Sequence, residues 1–252
     1  MRLKDKVAVI TGAGSGFGEG MARLFSAEGA KVVIADINEV AGKRVAQVIQ
    51  QQGGEAEFQK TDVTKDAEVK ALVEMAVKRF GRVDIMVNNA GYTHKNQSML
   101  NVSEAEFDRI FAVNVKAIFL AARHAVPVMK KTGGGVILNT VSTAAIRPRP
   151  GLTWYNGSKG AAQVLTKSMA AELAPDKIRV VAVNPVIGET GMLEQFMGMP
   201  DTPENRQKFL ATIPMGRMST PKDVASAALF LCSDEAEFLT GVCMEVDGGR
   251  CI

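Results

Sequence analysis

Thr11-Gly12-Ala13-Gly14-Ser15-Gly16-Phe17-Gly18 follows the apolar run Val7–Ile10 and leads into a helix-compatible stretch near Gly18–Glu28. A glycine turn between a strand and a helix is the setting of a nucleotide loop. Glycines let the backbone approach a pyrophosphate, and the helix N-terminus offers unpaired N–H groups and a positive dipole end. The spacing is G-x-x-x-G-x-G through Gly12, Gly16 and Gly18, because Phe17 occupies the last position of the commoner G-x-G-x-x-G frame. A plain strand-to-helix turn is the other reading of the same residues.

The alternation continues along the chain. Strand candidates are Val7–Ile10, Lys31–Ala35, Glu55–Lys60, Asp84–Val87, Gly135–Asn139, Arg179–Val183 and Val242–Val246. Helix candidates lie near Gly18–Glu28, Glu39–Gln51, Ala67–Phe80, Glu104–Lys130, Tyr155–Leu173 and Pro221–Leu231. Most strand runs are continuous Val, Ile and Ala, as expected of strands covered on both faces. The rhythm predicts an α/β fold, a doubly wound seven-stranded parallel sheet of Rossmann type with helices on both faces. No Pro/Ser-rich linker or internal repeat divides the chain, which reads as one domain over 1–252. The irregular segment 186–219, rich in Gly, Pro and Met, reads as a substrate loop or lid.

Composition narrows the classes. Of 252 residues 46% are hydrophobic, and 30 Lys and Arg against 27 Asp and Glu leave a net charge of +3. No basic run points to nucleic acid or to a membrane surface. No apolar run of transmembrane length and no signal peptide is apparent, and the expectation is a cytoplasmic protein. The three cysteines suggest neither a disulfide framework nor a metal site.

Several polar residues fall at the predicted carboxyl ends of strands, where doubly wound sheets bind ligands. Asp36, at the end of the second strand, can accept hydrogen bonds from adenosine ribose hydroxyls and would repel a 2′-phosphate. It can equally cap the helix that follows Ile37-Asn38. Asp62-Val63 and Asn88-Asn89-Ala90-Gly91 end the next two strands, although the asparagines can also satisfy turn backbone. Ser142 ends the fifth strand and can hydrogen-bond a substrate oxygen, or serve only its loop. Tyr155 and Lys159 stand four apart, on one face of a helix. An ammonium beside a phenol favours the phenolate, so the pair can serve acid/base chemistry.

T-G-x-x-x-G-x-G at Thr11–Gly18, N-N-A-G at Asn88–Gly91, Asn114, Ser142, Y-x-x-x-K at Tyr155–Lys159 and the tail Val246-Asp247-Gly248-Gly249 together resemble the short-chain dehydrogenase/reductases. The resemblance covers nearly the whole chain. It implies a tetrad: Tyr155 as general acid/base, Lys159 holding the nicotinamide ribose and lowering the phenol pKa, Ser142 polarising the substrate oxygen, and Asn114 holding a relay water. It also implies cofactor contacts at Gly12, Ser15, Gly16, Phe17, Gly18, Asp36, Ile37, Asp62, Val63, Asn89, Ala90, Gly91, Pro185, Gly188 and Thr190. Relatives are usually homotetramers. One departure is Val186, where relatives usually carry Gly; Gly188 is expected to restore flexibility there. With Asp36 present and no Arg or Lys between Gly12 and Gly18, the cofactor expected is NAD.

The expected function is an NAD-dependent oxidoreductase acting on a secondary alcohol or ketone of the sugar, polyol or hydroxy-acid class. A carrier-bound 3-oxoacyl reductase using NADPH and a non-catalytic nucleotide sensor are the alternatives. Candidate substrate contacts are His94, Arg149, Trp154 and Met192. Arg147 and Arg149 suggest an anionic substrate, or a Pro-spaced surface loop. Met192, Met197 and Met199 suggest an adaptable apolar wall, or core packing. No metal is expected.

Overall fold

A computed structural model describes residues 1–252. Strands β1 (Val7–Thr11), β2 (Lys31–Asp36), β3 (Ala56–Lys60), β4 (Ile85–Asn88), β5 (Gly135–Thr140), β6 (Ile178–Pro185) and β7 (Cys243–Val246) form one sheet in the order 3-2-1-4-5-6-7, every pairing parallel. The helices are α1 (Gly16–Ala27), α2 (Glu39–Gln51), α3 (Asp66–Phe80), α4 (Glu104–Phe111), α5 (Ala117–Thr132), α6 (Thr153–Leu173), α7 (Leu193–Met197), α8 (Pro203–Leu210) and α9 (Pro221–Cys232).

The two-residue period of the strands sorts the core into two layers. Ala8, Ile10, Val32, Ile34, Val87 and Leu138 pack with Met21, Ala22 and Phe25 of α1, Ile49 of α2 and Leu229 of α9. The intervening Val9, Val33, Met86 and Ile137 pack with Leu72 of α3, Ala125 and Met129 of α5 and Ala170 of α6. Both faces are covered, which is why the strands carry no polar alternation. The chain crosses from β3 over to β4, so strand order reverses beside β1 and opens a crevice at the carboxyl ends of β1 and β4.

Two expectations need correction. The helix expected over Glu104–Lys130 is not uniform: Ala112–Lys116 form a π-helical turn between α4 and α5. The whole helical stretch Glu104–Thr132 is also long and apolar enough to cross a membrane by length and composition, although no such run is expected from the sequence. In the fold, Ile118, Leu120, Ala121, Ala125 and Met129 on its apolar face are buried. Segment 186–219 is more ordered than a loop. It carries α7 and α8, is tied down by a parallel bridge between Gly188 and Ser219, and has its own cluster of Val186, Ile187, Leu193, Met197, Ile213 and Met218.

Candidate active site

A single cavity of about 820 Å³ runs along the carboxyl ends of the central strands, from Asp36 and Ile37 at one end to Tyr155 and Phe196 at the other. Its first part is built by the glycine turn. Gly12 has φ +62°, and a Cβ there would lie 2.9 Å from Ala90 Cα, so both backbone conformation and space demand glycine. Ser15 is the N-cap of α1 but its side chain makes no capping bond, which leaves the first N–H groups of that helix pointing to the cavity floor. That cradle suits a pyrophosphate. Asp36 is held in place: Oδ2 accepts from Gly14 N at 2.8 Å and Oδ1 from Asn38 N at 2.8 Å. The sequence left open whether Asp36 faces a ligand or caps the following helix; the carboxylate braces the turn and also lines the cavity.

Asn89 likewise has two roles. Its Nδ2 donates to the carbonyls of Thr11 (2.9 Å) and Gly12 (3.1 Å), and its Oδ1 accepts from Thr140 Oγ1 at 3.2 Å. One side chain thus ties together the ends of β1, β4 and β5 at the crevice. Ser15, Gly16, Phe17, Asp62, Val63, Ala90, Gly91, Pro185, Gly188 and Thr190 line the same cavity. Gly18 does not. A Cβ there would lie 2.2 Å from Gly12 O, so its glycine serves the close packing of helix on turn.

Gly188 corrects another expectation. It needs no special backbone freedom; a Cβ there would meet Phe17 Cζ at 2.5 Å and Ser219 Oγ at 2.8 Å. The large Phe17 and the absent side chain of Gly188 form a matched pair between the glycine turn and the lid. Gly188→Ala is therefore expected to cost about 1–3 kcal/mol by overpacking. A thermal-melt double-mutant cycle checks this: Phe17→Leu should recover part of the loss, and strict additivity would show the contact to be unimportant.

The second part of the cavity holds the acid/base groups. α6 begins two residues earlier than expected, at Thr153, and places Tyr155 in its first turn and Lys159 one turn later. The Lys159 ammonium donates to Thr140 O at 2.8 Å and lies 5.8 Å from the Tyr155 ring centre. Burial alone pushes Lys159 down to about 8. Burial pushes Tyr155 up to about 12, opposed first by the Ser142 hydroxyl and then by the charge of Arg149. The expected lowering of the phenol by Lys159 is thus not produced by the protein's own groups: the ammonium is turned to a strand carbonyl, and desolvation outweighs the rest. Ser142 closes its own turn by accepting from Ala144 N at 3.1 Å and faces the cavity beside Tyr155.

Asn114 sits in the π-helical turn, a feature that recurs at functional sites. Its Oδ1 accepts from Tyr92 N, and Nδ2 donates to Tyr92 O and Ser158 Oγ, each at 2.9 Å. The side chain therefore pins the loop after β4 to α6 and keeps one acceptor site on Oδ1. Asn114 and Lys159 do share a second, closed cavity of about 10 Å³, the size one water needs.

Of the candidate substrate residues, Arg149 and Met192 line the main cavity; His94 and Trp154 do not. His94 is 1% exposed and bonds Lys95 O through Nδ1 at 2.8 Å. Trp154 donates to Met99 O at 3.1 Å and meets Phe107 edge-on, because the residue before Tyr155 points about 100° away around the helix. Sequence reasoning missed Tyr92, Leu152 and Phe196 in the wall; Phe196 packs edge-on to Tyr155 with ring centres 5.1 Å apart. No motif marks such residues: Tyr92 and Leu152 flank motifs without belonging to them, and the lid brings Phe196 in from afar. The apolar wall does include Met192, while Met197 packs in the lid's own core.

A glycine cradle, a strand-end acid and a buried Tyr–Lys pair share one cavity, and the comparisons agree. A family model described as enoyl-(acyl carrier protein) reductase matches residues 12–250. The chain is 50% identical over 250 residues to 4-formylbenzenesulfonate dehydrogenase TsaC1/TsaC2 of Comamonas testosteroni, covering 99% of each. It is 40% identical over 249 residues to 7alpha-hydroxysteroid dehydrogenase of Escherichia coli K12, covering 99% of this chain and 95% of the relative. Among solved structures it is similar to a 3-ketoacyl-(acyl-carrier-protein) reductase from Brucella melitensis complexed with NADH, with TM-score 0.93, 51% identity, and coverage of 99% and 100%. Full-length similarity of sequence and backbone, with the Tyr–Lys pair and glycine turn facing one crevice, identifies this oxidoreductase chain as a member of the short-chain dehydrogenase/reductase family.

Proposed function

We propose that the protein is an NAD(H)-dependent dehydrogenase that interconverts an alcohol and its carbonyl compound. The observation that carries this reading is one continuous cavity with Asp36 at its adenosine-sized end and Tyr155, Ser142 and Lys159 at the other. Bound nicotinamide supplies or accepts the hydride. In carbonyl reduction Tyr155 gives its phenolic proton to the substrate oxygen, to which the Ser142 hydroxyl also donates. Lys159 restores the proton from the small cavity it shares with Asn114. Alcohol oxidation runs these transfers backwards.

The wall around Tyr155 is Tyr92, Leu152, Val186, Met192 and Phe196. It suits an apolar ring better than the sugar or polyol first considered. The names of relatives point the same way: a formylbenzenesulfonate, a hydroxysteroid and cyclopentanol. The 3-oxoacyl-carrier reductase reading keeps support from the Brucella melitensis neighbour and from FabG of Thermotoga maritima, 38% identical.

A panel of cyclic, benzylic and linear alcohols with NAD and NADP, and of ketones and an acetoacetyl thioester with the reduced cofactors, tests the reading by nicotinamide absorbance. The expected result is turnover of ring alcohols with kcat/KM higher for NAD. Preference for NADPH and the thioester would overturn it in favour of the carrier reductase. We also propose a homotetramer, supported by Phe119 on α5 and Val164 on α6, which are 57% and 63% exposed. Sedimentation equilibrium should give about four times 26.9 kDa, and Phe119→Glu with Val164→Glu should give smaller species.

A further inference from the structure

Arg149 lines the substrate end of the cavity without an ionic partner, and the buried Arg250 lies close enough for its charge to act on it. Arg149 lines the cavity, lies over the Phe209 ring at 5.1 Å, and takes part in no ion pair. Its charge reaches the Tyr155 phenol, so it sits near the reacting position. Arg250 is 9% exposed, and its Nε and Nη1 are buried without a hydrogen-bond partner. Its charge in turn acts on Arg149, which burial and this repulsion together hold down to about 10.

The neighbouring groups relieve this only in part. Arg147 adds a third positive charge, and its Nη1 donates to the carbonyls of Arg250 (2.6 Å) and Ile252 (3.4 Å), which fastens the tail. Asp247 is the acid nearest Arg250, and both its oxygens accept from backbone, Gly249 N at 2.9 Å and Cys251 N at 2.8 Å. The Cys251 thiol beside it is pushed up to about 11, first by burial, and so remains neutral near pH 7. Both loop arginines line the cavity, but Arg147 Nη1 is taken up by the tail's carbonyls, whereas the Arg149 guanidinium makes no hydrogen bond or ion pair.

Unpaired guanidinium groups half withdrawn from water are costly, and an anion placed against them relieves both desolvation and mutual repulsion. A planar fork stacked on Phe209, in a cavity that Phe196, Leu152 and Met192 also line, fits a carboxylate or sulfonate carried on a ring. We propose that Arg149, reinforced by the nearby charge of Arg250, binds an anionic group, a carboxylate or sulfonate, on the substrate that reacts at Tyr155. This rests on the hydride-transfer reading above and adds the charge of the substrate to it.

The test is calorimetric binding to the NADH-loaded enzyme, using 4-hydroxymethylbenzoate, 4-hydroxymethylbenzenesulfonate and the neutral 4-hydroxymethylbenzamide. Wild type should bind at least one of the anions at least about tenfold more tightly than the amide. Arg149→Met should remove that preference, Arg149→Lys should keep part of it, and Arg250→Met, checked for folding by thermal melt, should weaken the anion alone. Comparison of the two anions decides carboxylate against sulfonate. Equal binding of anions and amide by wild type, or an unchanged preference in Arg149→Met, overturns the proposal. If anion binding depends on Arg149 but no alcohol is oxidised with either cofactor, the anion site stands and the hydride-transfer reading falls.

Discussion

Replacing Tyr155 by Phe is expected to lower kcat by about 10³-fold or more, the upper range for loss of a positioned acid/base. The aromatic ring stays, so the edge-on contact with Phe196 and the packing of α6 should persist. Circular dichroism and the melting temperature should then change little, which separates lost chemistry from lost fold. The pH profile gives the sign. Carbonyl reduction needs the Tyr155–Lys159 unit protonated; alcohol oxidation needs it to have lost a proton. With Lys159 held down to about 8 and Tyr155 pushed up to about 12 by burial, oxidation should climb as pH rises through about 8 and reduction should fall. In Tyr155→Phe the residual rate should be nearly flat with pH. A variant keeping more than about a tenth of wild-type kcat would remove Tyr155 from the acid/base role.

Asp36→Ser is expected to have the second largest effect, on cofactor choice. The carboxylate is fixed by two backbone N–H groups and faces the cavity, so it would accept from ribose hydroxyls and repel a 2′-phosphate. Arg44, from α2, lies next to this position: its Nη2 donates to Gly14 O at 3.0 Å while Glu19 neutralises it at 2.6 Å. Removing Asp36 leaves that guanidinium and Lys60, its cross-strand partner, as positive charges on neighbouring elements. The ratio of kcat/KM with NADP to that with NAD should rise by about 100-fold, from loss on one side and gain on the other. Initial rates with both cofactors measure it, and an unchanged ratio would mean that Asp36 only braces the turn.

The glycine turn, the acidic strand end and the Tyr–Lys spacing were legible because each is local. A strand, a turn and a helix N-terminus within eight residues already define a cradle, and four residues on a helix already define a face. The π-helical turn was not legible. Nothing in Ala112–Lys116 signals it, and it coincides with an Asn114 amide bonded to Tyr92 and Ser158, residues distant in the chain. His94 and Trp154 were misplaced for the same reason. Proximity to a motif in sequence does not set the direction of a side chain.

From its sequence alone this protein's class follows: a parallel doubly wound sheet, a nucleotide turn, and a Tyr–Lys pair in the order of its family. These depend on hydrophobic period and short-range geometry, which the chain carries residue by residue. Only the tertiary structure decided the rest. Burial, which is a property of the packed whole, raises Tyr155 and lowers Lys159 against the simple pairwise expectation. The fold of 186–219 over the crevice brings Phe196 onto Tyr155. The return of the C-terminal tail brings the charge of Arg250 to bear on Arg149 and gives Arg147 the tail's carbonyls to bond. The glycine turn thus predicted the place of the chemistry, and contacts between distant segments shaped the pocket that receives the substrate.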